Sequence, residues 1–214
     1  STSEAQENVA IQVAEQIADY LLTGAVTNAI NMPSVTAEES VRLRPYMTLA
    51  QQLGSFAGQM TQTGLEAVTI EYAGQVTELN TRSLTALVLQ GLLAPLMESV
   101  NMVNAPTIAR EREIDVSEVR HEREEDYQTL IRLVVKTEKQ TRSVAGTLFG
   151  GSKPRVVQVD DIAVEAELGP HMLFVINQDK PGFIGNLGGV LGRNGGNIAT
   201  FHLGRKAPNG NALA

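Results

Sequence analysis

The residue pattern predicts an α+β chain: an N-terminal helix, an α/β layer of helices on a mostly antiparallel sheet, then a partial βαβ unit. Three observations predict it. Tyr46, Leu49, Ala50, Leu53, Phe56, Ala57 and Met60 recur at helical spacing. Val68, Ile70 and Tyr72 alternate with Thr69 and Glu71, as in a half-buried strand. Residues 172–202, MLFVINQDKPGFIGNLGGVLGRNGGNIATFH, read as strand, tight turn, helix, glycine break and strand.

The elements follow in order. Ser3 with Gln6 fits a capping box. Val9, Val13, Ile17 and Leu21 then recur at i+4, with Ala10, Ala14 and Ala18 beside them, and Gly24 is placed to end the helix. Such an amphipathic helix needs a partner. Met32-Pro33-Ser34 reads as a linker, and Gly64 as the stop after the second helix. Asn80 can cap a third helix carrying Leu84, Leu87, Val88 and Leu92, which Pro95 ends or kinks. Val103-Asn104-Ala105-Pro106 leads into Ile108 to Arg112. Ile131, Leu133 and Val135 share one face of a strand, and Ser143 to Phe149 form another. Gly150-Gly151-Ser152 is a turn, and Arg155 to Ala166 a hairpin around Asp160-Asp161.

In the last stretch, Met172 to Ile176 is an unbroken apolar run, as a buried strand requires. Asp179-Lys180-Pro181-Gly182 is turn chemistry, with Pro181 placed to open a helix. Phe183, Ile184, Leu187, Val190 and Leu191 give that helix its apolar face. Gly195-Gly196 stops it, and Ile198 to Leu203 starts a second strand. The expected units are residues 1–33, 34–168 and 169–214.

Bulk properties narrow the class. A chain of 214 residues with 43% apolar content should be globular, with one or two cores. A net charge of −7 argues against a nucleic-acid or membrane-surface partner. With no cysteine, disulfides, a thiol nucleophile and an iron–sulfur cluster are excluded for this chain. No apolar run approaches the ~20 residues of a membrane span, and no signal peptide opens the chain. A soluble cytoplasmic protein is expected. The chain has no initiating Met and stops at Asn211-Ala212-Leu213-Ala214. It therefore reads as an internal or C-terminal piece of a longer polypeptide.

Two places attract a ligand reading. The turn at 179–182 opens a helix, whose N-terminus suits a carboxylate. Asp179 could pair with a ligand ammonium, and Asn177 and Asn197 could hydrogen-bond to either group. On residue types alone the commoner role for Asp179 is to cap the helix. The second place is the charge run 110–125, REREIDVSEVRHEREE. A solvated surface is the ordinary reading. The alternative is an anion site in which Arg110, Arg112, Arg120, His121 and Arg123 converge on a phosphate. The interleaved glutamates can neutralise those arginines in place of a ligand.

No constellation speaks for catalysis within the chain. His121, His171 and His202 are far apart and lack metal-ligand spacing; the last two read as structural. G-x-S-x-G and Walker A sequences are absent, and glycines 182, 185, 188, 189, 192, 195 and 196 lack the G-x-G-x-x-G spacing.

Several strings carry a resemblance. The apolar strand, the D-K-P-G turn, the helix ending L-G-R-N-G-G and the N-I-A that follows resemble the ACT domain, a ferredoxin-like amino-acid-sensing module. S-T-S-E-A-Q-E-N-V-A-I-Q-V-A-E-Q and G-A-V-T-N-A-I-N-M-P, within residues 1–33, resemble the D-3-phosphoglycerate dehydrogenase family. P-Y-M-T-L-A-Q-Q-L-G, V-N-A-P-T-I-A-R-E-R and G-T-L-F-G-G resemble the allosteric substrate-binding domain of its long-form members, over roughly residues 35–167. That family usually has Gly where this chain has Glu113, and often His or Tyr where it has Asn177.

The resemblance implies an NAD-dependent parent enzyme that oxidises 3-phosphoglycerate in serine biosynthesis. Its catalytic His and nucleotide fingerprint would lie upstream of Ser1. It implies L-serine as effector at Asn177, Asp179 and Asn197, and phosphate or a phosphorylated substrate at the middle domain. It implies a homo-oligomer, commonly a tetramer, often paired through ACT sheet edges, in which effector binding shifts catalytic domains between open and closed states. The alternatives are a stand-alone amino-acid sensor and the regulatory part of an iron–sulfur L-serine dehydratase. The helix at residues 3–21 favours the dehydrogenase.

Overall fold

The computed structural model describes residues 2–31, 34–61, 64–121 and 126–214. The first element, α1 (Ser3–Thr23), ends where Gly24 takes φ 79° and donates its N–H to the Tyr20 carbonyl. Its start differs from the expected Ser3–Gln6 box. Thr2 is the cap and acts through its carbonyl, which accepts from the Ala5 and Gln6 N–H groups, with no side-chain cap. No residue of α1 is buried; Leu21 and Leu22 are 75% and 81% exposed. The apolar stripe read from the sequence is present but uncovered. Part of the expected linker, Met32 and Pro33, lies outside the described residues.

Helix α2 (Ala37–Met60) begins well before the apolar repeat at Tyr46. Its true start is a capping box. The Glu39 N–H donates to Thr36 Oγ1 at 3.1 Å, and the Thr36 N–H donates to Glu39 Oε2 at 3.0 Å. Pro45 is carried inside the helix. The carbonyl deprived of its i+4 donor belongs to Val41, which is 66% exposed and open to water. Asn80 caps α3 (Thr81–Leu93) by accepting from the Arg82 N–H at 3.2 Å. Pro106 sits in the first turn of α4 (Ala105–Glu111).

Six strands form one sheet: β1 (Leu65–Gly74), β2 (Asp115–His121), β3 (Thr129–Thr137), β4 (Thr141–Phe149), β5 (Lys153–Val159) and β6 (Ile162–Ala166). Their order is β2-β1-β3-β4-β5-β6. Four neighbouring pairs are antiparallel and β1–β2 is parallel. The parallel pair follows from its connection, since a chain that crosses over through α3 and α4 returns in the same direction. Strand β2 falls inside the charge run expected to be solvated surface. Its residues are exposed except for the half-buried Val116, and the Glu118 side chain is drawn inward, so it shows no apolar alternation.

Register aligns the buried face. Ile70 lies opposite Leu133, Leu133 opposite Val144, and Val144 opposite Val159. Tyr72, Ile131 and Gly146 form the next row. This face meets Leu49 and Leu53 of α2 and Leu84, Val88 and Leu92 of α3, all of them fully buried. At typical transfer values each such side chain contributes about 1.5–3 kcal/mol. The two helices cross at glycines: a Cβ on Gly54 would stand 2.3 Å from the Val88 carbonyl oxygen, and one on Gly91 2.4 Å from that of Gln51.

The remaining elements are β7 (Ile176–Gln178), α5 (Phe183–Arg193), β8 (Gly204–Arg205) and β9 (Asn211–Leu213). Their sheet runs β7-β9-β8, antiparallel at both contacts. This is a split βαβ unit, in which the third strand lies between the first two. Both expected strands are shorter than read. Of Met172 to Ile176 only Ile176 lies in β7; Val175 still exchanges both backbone hydrogen bonds with Ala214, and Phe174 turns onto α2 to meet Phe56 edge to face at 5.2 Å. Of Ile198 to Leu203 none is strand; pairing begins at Gly204. There the backbone lies against β6, and a Cβ would stand 2.5 Å from the Ala163 carbonyl oxygen.

Candidate effector site

The turn between β7 and α5 carries the first set of residues singled out from sequence. Gly182, at φ 92°, is the N-cap of α5, and no side chain caps that helix. Asp179 therefore does not cap it. Its carboxylate accepts from Arg205 Nη1 at 2.7 Å and from the Asn209 N–H at 3.3 Å. Its own N–H donates to the Gly210 carbonyl at 2.9 Å. The Arg205 hydrogen bond holds the Asp179 carboxyl below the usual carboxylate range.

Asn177 lies two residues back, on β7 opposite Ala212. Its Oδ1 is buried and has no hydrogen-bond partner among the described residues. Asn197 is exposed and follows the far end of α5, beyond the left-handed Gly195. An 11-residue helix is about 16 Å long, so Asp179 and Asn197 mark its two ends. The structure groups Asn177 with Asp179 and sets Asn197 apart. Arg205 was missed from sequence. It lies 26 positions from Asp179 and reaches the turn because β9 pairs with both β7 and β8 and so holds them in one sheet.

The second set does not gather into one place. Arg110 and Arg112 stand at the end of α4, before β2 starts, while Arg120 and His121 close that strand. Seven strand residues span roughly 20 Å, which separates the two pairs. Arg123 lies outside the described residues. Arg120 is already engaged, donating to Thr81 Oγ1 and facing Glu118 at 3.6 Å. The convergence expected on a phosphate is thus replaced, among the described residues, by an internal network around Glu118. That carboxylate accepts from Thr85 Oγ1 at 2.6 Å and from Thr81 Oγ1 at 3.1 Å, at the first turn of α3.

A cleft of about 760 Å³ is lined by residues of α2 and of 168–176. Gln52, Phe56, Arg142 and Phe174 line it. Among the described residues no group of three His, Asp or Glu could hold a metal ion. No helix there is long and apolar enough to cross a membrane. His171 and His202 are exposed.

Residues 42–160, more than half of the chain, match the family described as the D-3-phosphoglycerate dehydrogenase intervening domain. The chain belongs to that family. The intervening domain so defined runs from the first turns of α2 to the β5–β6 turn and holds most of the main core and the Glu118 network. Along its whole length the chain is similar to the D-3-phosphoglycerate dehydrogenases of Synechocystis sp., 37% identical, and Bacillus subtilis, 35% identical. The enzyme of that name from Methanocaldococcus jannaschii is also 35% identical over all of it. The chain spans 39%, 41% and 40% of those three relatives.

Proposed function

We propose that this chain is the regulatory C-terminal portion of an NAD-dependent D-3-phosphoglycerate dehydrogenase. The parent converts 3-phosphoglycerate to 3-phosphohydroxypyruvate, and the portion described senses L-serine and an anionic metabolite. The observation that carries the reading is the intervening-domain match together with a similarity that covers the whole chain, the split βαβ unit included. The sensing role is supported by the turn at Asp179, where a carboxylate lies beside an uncapped helix N-terminus and Asn177. A free amino acid offers the complementary ammonium and carboxylate.

NAD does not fit the β1–α3 connection. The β1–α3 connection passes through the turn at 75–78 and the Asn80 cap, and offers no glycine-rich pyrophosphate cradle. In this reading NAD and the hydride transfer belong to other residues of the polypeptide.

The test is an assay of the full-length gene product that carries this chain, following NADH consumption with 3-phosphohydroxypyruvate, with and without L-serine. Turnover suppressed by serine supports both halves of the reading. Turnover indifferent to serine keeps the enzyme and reduces the Asp179 turn to structure. No turnover with NADH or NADPH removes the dehydrogenase and leaves an amino-acid-binding module.

A further inference from the structure

Three consecutive residues, Gly204, Arg205 and Lys206, tie the effector turn to the intervening domain. Arg205 pairs with Asp179 of the turn. Lys206 pairs with Asp161 in the β5–β6 turn. The Gly204 backbone lies directly on β6 at Ala163. Successive residues of an extended segment face opposite ways, so one short strand can hold two partners in two different units.

From this arrangement we infer that Arg205 is a built-in competitor for the effector's ammonium group, and that it links occupancy of the turn to the intervening domain. The inference rests on the reading of Asp179 as an effector contact. A ligand ammonium seeks the same carboxylate that Arg205 now holds at 2.7 Å. The Asn209 N–H reaches the same Oδ2, so this oxygen is shared by two donors of the chain itself. Any cation placed on that oxygen must displace a guanidinium or share a neutralised carboxylate. Asp179 and Arg205 are 31% and 58% exposed in their side chains, so a ligand can reach the pair. When Arg205 leaves Asp179, β8 loses its bond to the turn and shifts the balance at Lys206–Asp161. Occupancy is then sensed at the β5–β6 hairpin without any ligand contact there.

The experiment is calorimetric titration of L-serine into the full-length polypeptide carrying wild-type, Arg205→Gln, Arg205→Lys or Asp179→Asn sequence, each checked for native circular dichroism. An exposed ion pair of this kind shifts affinity by about two- to fivefold. Arg205→Gln is expected to bind serine tighter by that factor, Arg205→Lys by less, and Asp179→Asn to bind weakly or not at all. Hydrogen exchange at residues 161–166 reports the link: serine should change it in the wild type and not in Arg205→Gln. Should Arg205→Gln fail to fold, Arg205→Lys and the wild-type exchange data decide. Equal or weaker binding by the arginine variants, with wild-type binding intact, overturns the inference alone. Binding by none of the four proteins overturns it together with the sensing role. Binding that appears only in the arginine variants supports both and identifies a latent site.

Discussion

Tyr72 is fully buried, and its hydroxyl meets Thr85 Oγ1 at 2.9 Å. Thr85 spends its one proton on Glu118, so Tyr72 is the donor to Thr85. The order is Tyr72 to Thr85 to the Glu118 carboxylate. Burial pushes the phenol up from its ordinary value. A raised folded-state value means the folded protein keeps the proton longer than the unfolded chain. The associated stability is complete below the ordinary tyrosine value of about 10 and is lost as pH climbs above it. The Tyr72→Phe variant should lose about 1 kcal/mol at neutral pH, because one hydrogen bond disappears and no donor is stranded. It should also show a shallower loss of stability above pH ~10. Urea unfolding midpoints at neutral and alkaline pH, with the slope unchanged, check both. An equal alkaline decline in both proteins would contradict this account.

At the scale of an element, two backbone positions carry defined strain or closeness. Glu113 follows α4 with φ 57° and donates its N–H to the Arg110 carbonyl. A left-handed conformation costs a non-glycine residue roughly 1–2 kcal/mol. Glu113→Gly should therefore stabilise the intervening domain by about 1 kcal/mol, after the greater unfolded-state freedom of glycine is subtracted. A rise in thermal midpoint measures it. Gly54 shows the opposite case. Its φ is ordinary, but α3 backbone occupies the space of a side chain. Gly54→Ala must push α2 from α3 and should destabilise by roughly 1–3 kcal/mol, read from denaturant unfolding. An unchanged midpoint would mean the two helices can slide apart without loss of packing.

Taken whole, the molecule is a helix-on-sheet layer with a smaller split βαβ unit laid along the β6 edge. The attachment combines the Gly204 contact, Leu213 of β9 buried in the main core, the Phe56–Phe174 pair and the Lys206–Asp161 bridge. The Lys206 hydrogen bond holds the Asp161 carboxyl below its ordinary value. That contact is complete above the ordinary carboxylate range and lost as pH falls through the lowered value. Asp161→Asn at neutral pH should imitate the acid state. Amides of β8 and β9 should exchange faster while those of β1 and β3 stay protected, as hydrogen exchange with mass spectrometry would show. Uniform protection would mean the glycine and aromatic contacts suffice.

What the sequence determined by itself was local. The Asn80 cap, the Gly24 and Gly195 stops and the alternation in β1 and β3 were legible because each signal involves residues within a few positions. The Thr36–Glu39 box is local in the same way, but it stands ten residues before the apolar repeat that begins at Tyr46. The recurrent strings carried the family. Tertiary structure decided the rest. β2 is a strand because β1 offers it an edge and α3–α4 return the chain in parallel, not because its own residues alternate. The arginines of that run separate because a strand holds its ends apart. Asp179 is spoken for because β9 threads between β7 and β8, bringing Arg205 to it from 26 positions away. Spacing along the chain encodes periodicity and caps; only the pairing of strands sets which distant charges meet.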